Sequence, residues 1–315
     1  MPRLLIIKPS SLGDIIHGLQ VVESLRSQQP DQWHVTWVVR ERFAPLVEAC
    51  DTVDETLVFR RRDGIPAFLN CLRRIRQRRF DVVLDLQGLA RSGLMTLAAR
   101  APMKIGRSDA REGAVLTYRK RMPMPAQGKI SHAVDILLQA LPLLGAKASV
   151  HGHLRFKSVT MPEGWASVAE TKPIVLFPDS RGPEKEWPYF SELTALAIQH
   201  SNRVVVWAGM KSPPSDPNWP KERFLDLTAQ ATLSQLARLV QESGVVLAND
   251  SGPMHLAAAL GVPVLALFGP TSPERFGPFP PDRPTNHFLE APSNELGQLS
   301  PETVWSTLER ILTDV

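Results

Sequence analysis

The chain has 315 residues, of which 43% are hydrophobic and 22% are charged, and its formal net charge is +4 at pH 7. These values exclude a disordered or fibrous protein, and the length accommodates two domains with separate cores. The two cysteines have no histidine partners at metal-ligand spacing, and no apolar run reaches the length of a membrane span or a signal-peptide core, so we expect a cytoplasmic protein with neither a disulfide framework nor a structural zinc site.

Apolar runs alternate with helical patterns along the first half of the chain. This alternation is typical of βαβ units in a parallel sheet. An irregular stretch, 145–172, follows it, and we place the domain boundary there, so that the N-terminal domain comprises residues 1–160. The predicted strands are 4–7, 35–39, 56–59 and 82–84, and the predicted helices are 15–26, 44–49, 66–76, 92–99 and 133–144.

The same alternation restarts in the second half of the chain. We therefore predict an α/β protein with two Rossmann-like, doubly wound parallel-sheet domains, the second comprising residues 161–300. An amphipathic C-terminal helix occupies residues 301–315, with Ser300 as its cap, and we expect it to pack back toward the N-terminal domain. The predicted strands are 174–177, 204–207, 245–248 and 264–268, and the predicted helices are 189–199, 233–242 and 254–260.

The first predicted strand ends in a polar turn that contains a glycine. Asp14 lies in this turn at the carboxyl edge of the sheet, where a carboxylate can accept a proton from a hydroxyl nucleophile. The alternative is that Asp14 only caps the following helix. Lys8, Ser10, Ser11 and Gly13 belong to the same turn, and the lysine and the serines are candidates for contacts to an anionic substrate group.

A loop with hydroxyl and cationic side chains follows the first strand of the second domain. Ser180 and Lys185 offer a hydroxyl donor and a positive charge near a helix start. These groups suit a leaving diphosphate, whose charge grows in the transition state. Lys185 alone would be interpreted as an ordinary surface lysine, and its neighbours favour the binding role.

The turn between the strand at 245–248 and the next helix has the composition of an anion-binding site. Its small residues expose backbone N–H groups, and Pro253 suits the first helical turn, whose partial positive charge attracts a phosphate. His255 is a candidate donor to a phosphate oxygen. Asp250 repels a phosphate, so we expect it to bind a sugar hydroxyl or to fix the loop. The candidates in this turn are Asp250, Ser251, Gly252, Pro253 and His255.

The charge is distributed unevenly along the chain. Residues 1–130 contain 22 lysines and arginines against 13 acidic residues, whereas the remainder contains 14 against 19. A basic first half suggests a polyanionic partner, such as nucleic acid, an anionic membrane or a phosphorylated substrate, and the alternative is a solvated basic face. The arginines at 73–79 lack interleaved aromatic residues, so we discount nucleic acid.

Taken together, these turns resemble the ADP-heptose:lipopolysaccharide heptosyltransferases, glycosyltransferase family 9, over nearly the whole chain. The tail at 291–299, the segment 110–112, and Ser92 after Arg91 look most like heptosyltransferase I. The motifs that carry the resemblance are 8–14, Asp85-Leu86-Gln87-Gly88-Leu89, 180–188, 249–255 and 268–271.

The resemblance implies a GT-B fold, in which the two domains face a central cleft. It also implies an inverting, metal-independent transfer, without a cofactor, of a heptose from ADP-heptose to a Kdo hydroxyl of the lipid A inner core. The enzyme would act at the cytoplasmic face of the inner membrane, with peripheral membrane contact.

Individual residues match the roles that the family assigns. Asp14 matches the catalytic base, and the anionic acceptor gives the basic first half a partner. The residues that match donor contacts are Ser180 and Lys185 for the diphosphate and Asp250, Gly252 and His255 for the nucleotide sugar. The candidate acceptor contacts are Arg60, Arg61, Arg62, Arg91 and Arg111.

Two positions depart from the family pattern. The glutamate that often holds the donor ribose is absent from 209–214, and Arg181 stands where heptosyltransferase I tends to have a hydroxyl residue. Arg181 adds a second cation at the diphosphate or a contact to the donor sugar. The alternatives are a related GT-B transferase with another donor or acceptor, and a catalytically silent nucleotide-sugar-binding protein.

Overall fold

The computed structural model describes residues 1–30 and 32–313. The chain divides into two units between Lys157 and Ser158, close to the boundary that we place at residue 160. Each unit contains its own parallel sheet and its own hydrophobic core.

The first unit is a doubly wound sheet with helices between its strands. Its strands are β1 (Arg3–Ile7), β2 (His34–Arg40), β3 (Glu55–Phe59), β4 (Val82–Asp85), β5 (Met103–Arg107) and β6 (Lys120–Met122). Its α-helices are α1 (Leu12–Gln28), α2 (Ala44–Ala49), α3 (Gly64–Arg76), α4 (Ala90–Ala98) and α5 (Ala133–Leu138). The spatial order is β3-β2-β1-β4-β5-β6, and all neighbours are parallel. The order reverses between β1 and β4, so the turns that follow these two strands meet at one edge.

The second unit repeats this topology. Its strands are β7 (Ile174–Phe177), β8 (Val205–Trp207), β9 (Phe224–Asp226), β10 (Val245–Asn249), β11 (Val264–Phe268) and β12 (Asn286–Glu290). Its α-helices are α6 (Trp165–Ala169), α7 (Phe190–His200), α8 (Leu233–Glu242), α9 (Gly252–Leu260), α10 (Pro273–Phe276) and α11 (Pro301–Thr313). The parallel order is β12-β11-β10-β7-β8-β9. Here the reversal lies between β7 and β10.

The predicted class, two doubly wound parallel sheets, is confirmed, and the differences lie at the sheet margins. Strands β5, β6, β9 and β12 are not predicted because they are short or partly exposed and lack a continuous apolar run. The helix predicted at 133–144 ends earlier, as α5, and is followed by a 3-10 turn that contains Pro142. Proline cannot donate the hydrogen bond that would continue the α-helix.

The C-terminal helix α11 is an element of the second unit. Ser300 caps it through a hydrogen bond from the Thr303 N–H to its hydroxyl, as the sequence suggests. Val304, Leu308 and Ile311 lie on one face and join the core of the second unit. Packing toward the N-terminal domain, which we expected, therefore does not account for the burial of this face.

Candidate active site

A buried lysine and an exposed aspartate form an ion pair at the strand-order reversal of the first unit. Lys8 follows β1, and its Nζ donates to Asp14 Oδ1 at 3.1 Å and to the carbonyl oxygen of Leu86, which follows β4, at 3.2 Å. The side chain of Lys8 is 2% exposed, whereas that of Asp14 is 45% exposed. The carboxylate is thus the member of the pair that a substrate can reach.

Asp14 is also held by the start of α1. Its Oδ2 accepts hydrogen bonds from the Ser11 N–H at 3.1 Å and the Ser11 hydroxyl at 2.5 Å. Asp14 therefore takes part in capping the helix, as the partner of the N-cap Ser11 in a capping box, and its side chain stays partly exposed while doing so. Burial raises the pKa of Asp14, but the charge of Lys8 and the Ser11 hydroxyl outweigh it and hold that pKa well below its ordinary value of 3.8.

Lys8, one of the candidate acceptor contacts, lies in the interior of the first unit. Its ammonium group is buried and donates to Asp14 and Leu86, and burial lowers the pKa of Lys8 although Asp14 opposes that shift. Ser10 donates its N–H to Gln87 Oε1 at 3.4 Å. The turn around Asp14 is therefore tied to the loop that follows β4, and Lys8 acts on the carboxylate.

Asp85, which ends β4, organises that loop. It is fully buried, and its Oδ1 accepts from the N–H groups of Gln87 and Gly88 at 2.9 and 3.0 Å. The Tyr118 hydroxyl donates to its Oδ2 at 2.8 Å. Burial raises the pKa of Asp85. The sequence places Asp85 only within a family motif, and an acidic residue between an apolar strand and a glycine turn is the signal for this loop-fixing role.

The second unit also has an ion pair at its strand-order reversal. Lys185 Nζ lies 2.7 Å from Asp250 Oδ2, which also accepts from the Thr271 hydroxyl at 2.8 Å. The Ser180 hydroxyl donates to the carbonyl oxygen of Asp250 at 3.3 Å. The structure thus brings together Ser180, Lys185 and Asp250, and it shows Asp250 fixing the loop. Thr271 was not among the predicted site residues, although its position in a glycine-rich turn could have indicated it.

The N-terminus of α9 presents polar groups that suit an anion. Ser251 caps this helix with extended backbone, and Pro253 lies in its first turn, as expected. The Ser251 hydroxyl oxygen is buried and, among the residues that the structure describes, has no hydrogen-bond partner. Gly252 begins the helix, and His255 is 8% exposed. An unpaired hydroxyl beside the first N–H groups of a helix matches the needs of a phosphate oxygen.

The arginines assigned to the acceptor occupy several positions in the first unit. Arg60 lines a groove of 530 Å³ with Asp63 and Arg74. The guanidinium group of Arg91 lies 5.9 Å from the centroid of the Phe59 ring. The exposed residues Arg61, Arg62 and Arg111 complete the set. None of these arginine side chains forms an ion pair within the described residues, and Arg181 in the second unit is exposed as well.

Residues 1–30 and 32–313 contain no group of three His, Cys, Asp or Glu side chains that could hold a metal ion. No helix in this part of the chain combines the length and the apolar character that a membrane span requires.

Comparison with known proteins shows which protein family this chain matches. The model for glycosyltransferase family 9 (heptosyltransferase) matches residues 68–304. Lipopolysaccharide core heptosyltransferase OpsX of Haemophilus influenzae is 25% identical over 96% of this chain and 90% of its own length. Lipopolysaccharide heptosyltransferase 1 of Escherichia coli O18:K1:H7 is 27% identical, with coverages of 98% and 97%.

A solved structure supports the same relationship. The E. coli heptosyltransferase WaaC with ADP superposes with a TM-score of 0.77 at 25% identity, covering 98% of this chain and 99% of that chain. Because the match extends over both units, it confirms the GT-B fold class. Asp14 precedes the residues that the family model matches, so its role rests on the geometry described above.

Proposed function

The chain belongs to glycosyltransferase family 9, the heptosyltransferases, and is a glycosyltransferase; from this premise we propose that it transfers a heptose from ADP-heptose to a Kdo hydroxyl of the lipopolysaccharide inner core. Support comes from the names of its relatives, which are lipopolysaccharide heptosyltransferases, and from the ADP bound to the similar WaaC. Addition of the first heptose, to lipid A-linked Kdo, is our choice among the inner-core positions. Identities of 25% and 27% to two differently named core enzymes do not distinguish these positions.

The observation that carries the mechanism is the exposed carboxylate of Asp14 at the reversal point of the first sheet. Lys8 and Ser11 keep this carboxylate ionised and oriented. It accepts the proton of the acceptor hydroxyl as that oxygen attacks the anomeric carbon, which inverts the configuration there. The sugar passes through an oxocarbenium-like state.

The groups at the reversal point of the second sheet stabilise the leaving ADP. Lys185 supplies a positive charge, and the start of α9 supplies N–H groups and the buried Ser251 hydroxyl. These groups act on charge that grows as the glycosidic bond breaks. The reaction needs no metal in this scheme, because fixed positive groups of the protein neutralise the diphosphate.

Transfer by the wild type and by Asp14→Asn tests this function. ADP release from ADP-heptose is measured with and without deacylated Kdo-lipid A. We expect acceptor-dependent release by the wild type and a loss of about 10²- to 10⁴-fold in the variant. Asp51→Asn, which changes an exposed carboxylate elsewhere in the first unit, is the matched control and should retain activity. Near-normal turnover by Asp14→Asn would contradict the proposed mechanism, in which Asp14 is the base.

A nucleotide panel separates this function from the alternatives. ADP should raise the melting temperature more than UDP or GDP does. A stronger effect of UDP or GDP points to a transferase of the same fold with another donor. Binding of ADP without acceptor-dependent release in the wild type points to a silent nucleotide-sugar-binding protein.

Peripheral contact with an anionic membrane is a second element of the proposal. Ile65 and Leu69 on α3 and Leu97 on α4 are 73%, 58% and 58% exposed, and the last turn of α3 is basic. Exposed apolar residues with flanking cations are typical of surfaces that bind anionic lipids. Flotation with anionic vesicles should recover the wild type and lose Leu69→Asp, whereas equal recovery of both would contradict the contact.

A further inference from the structure

Arg40, the last residue of β2, has a buried polar group that nothing in the described chain satisfies. Its Nε is buried and has no hydrogen-bond partner among residues 1–30 and 32–313, and its guanidinium group forms no ion pair there. Buried N–H groups are paired in most native structures, because an unpaired donor loses its hydrogen bond to water. Arg40 therefore points to a ligand that supplies an acceptor.

The surroundings of Arg40 are rich in like charge. Burial and then the charge of Arg61 lower the pKa of Arg40, Arg42 and Arg91 add to this effect, and Glu41 opposes it. The carboxylate of Glu41 also accepts a hydrogen bond from the Arg61 N–H at 3.1 Å. The charges of Arg61, Arg42 and Arg91 thus act on Arg40 against that of Glu41 alone, and an added anion would relieve the repulsion between the arginines.

The arginines lie beside the turn that contains Asp14. The Arg40 N–H donates to the carbonyl oxygen of Pro9 at 3.2 Å, directly before Ser10. In the sheet, Arg40 is paired with Phe59, over whose ring the guanidinium group of Arg91 lies at 5.9 Å. Arg40 and Arg61 therefore lie at the carboxyl edge of β2 and β3, where the backbone of Arg40 is bonded to the segment that leads into the Asp14 turn.

We propose that Arg40, together with Arg61 and Arg91, binds an oxyanion group of the acceptor, a phosphate or a carboxylate. This inference rests on the proposed function for the identity of the acceptor, whereas the anion site itself does not require transfer. Arginine suits such a group because its planar fork donates two parallel hydrogen bonds. Arg40 would fix the position of the acceptor relative to Asp14 and thereby select acceptors that carry the anionic group.

Calorimetry with inorganic phosphate tests the site without any turnover. The full chain is first saturated with ADP, so that the phosphate-binding groups of the second unit are occupied. We expect the wild type to bind phosphate under these conditions and Arg40→Gln to bind it at least about tenfold more weakly. Arg73→Gln removes the same charge from an exposed position on α3 and should bind phosphate as the wild type does.

The outcome is decided by the difference between the two variants. Equal phosphate binding by Arg40→Gln and Arg73→Gln, or no binding by the wild type, would overturn the proposal and leave the transfer assay of the proposed function unaffected. Arg91→Gln is a second variant, at a more exposed position, in case Arg40→Gln lowers the melting temperature.

Kinetics then identify the group that is bound. Arg40→Gln should raise KM for deacylated Kdo-lipid A at least about tenfold and leave the Kd for ADP unchanged. If removal of the acceptor phosphates abolishes the difference between variant and wild type, the group is a phosphate; if the difference persists, it is a carboxylate. An unchanged KM would contradict the role of Arg40.

Discussion

The two units place a lysine–aspartate ion pair at the same point of the same topology, but they expose opposite members of the pair. In the first unit Lys8 is 2% exposed and Asp14 is 45% exposed, whereas in the second unit Lys185 is 25% exposed and Asp250 is 11% exposed. The first unit therefore offers a carboxylate to its ligand, and the second offers a cation. The same strand order thus carries both arrangements, which we propose serve as a base in the first unit and as an anion-binding site in the second.

The difference comes from which strand supplies each charge. In the first unit the lysine directly follows the strand and donates a hydrogen bond to Asp14 in the first turn of α1. In the second unit the aspartate follows β10 and is fixed by Thr271, and the lysine comes from the longer loop after β7. A residue close to a strand end is buried with the sheet, and one farther along the loop reaches solvent.

For ADP binding by the second unit, we expect the largest effect from Lys185→Met. This change removes the partly exposed cation, so we expect the Kd for ADP to rise about 30-fold or more. Calorimetry with ADP measures it. Lys211→Met, at an exposed position in the loop after β8, is the control, and an unchanged Kd in Lys185→Met would mean that the second unit does not use its cation as we propose.

Removal of the loop-fixing carboxylate of the first unit should have an effect of comparable size, on stability instead of on ADP binding. Asp85→Ala leaves the N–H groups of Gln87 and Gly88 without their acceptor. We expect a loss of about 2–4 kcal/mol in the free energy of unfolding, because each buried unpaired group costs about 1–3 kcal/mol. Urea denaturation measures this loss, and a change below about 0.5 kcal/mol would exclude the loop-fixing role.

The pH dependence of kcat/KM tests the role of Lys8 in lowering the pKa of Asp14. Because Lys8 lowers the pKa of Asp14, Lys8→Met should move the acid limb of the kcat/KM profile to higher pH. The folded-state pKa of Asp14 lies below its ordinary value, so the pair contributes stability above pH 3.8 that is lost as the pH falls toward the folded-state value. Lys8→Met should show a smaller loss of stability over that range. An identical acid limb in both proteins would show that Lys8 does not act on Asp14.

The smallest effect is expected for Thr271→Val. It removes one hydrogen bond to Asp250 and retains the shape of the side chain. We expect a loss of about 1 kcal/mol in the free energy of unfolding and a rise of a few-fold at most in the Kd for ADP. A rise as large as that of Lys185→Met would imply that Thr271 contacts the ligand directly.

The sequence was sufficient for the central strands and for the turns that contain Ser180, Lys185 and Asp250, but not for the contacts between these three residues. Apolar runs identify buried parallel strands, and residues that follow such strands meet at one edge. Strands β9 and β12 could not be predicted from apolar runs because they are partly exposed.

The burial of Lys8 could not be predicted from local sequence. Its environment depends on the pairing of β1 with β4, which brings Leu86 to within 3.2 Å of the Lys8 ammonium group. The orphaned Nε of Arg40 depends in the same way on the packing of distant elements. Local sequence pattern thus identifies the candidate turns, and the pairing of distant strands decides which side chain in each turn is buried and which is exposed.

The most direct test of the comparison is the Kd for ADP of Asp14→Asn and Lys185→Met, measured by calorimetry beside their transfer rates. If Asp14 serves as the base and Lys185 binds the donor, Asp14→Asn should bind ADP as the wild type does but lose transfer. Lys185→Met should lose affinity for ADP. Equal weakening of ADP binding by both variants would contradict it, because the carboxylate of the first unit would then serve the donor as well.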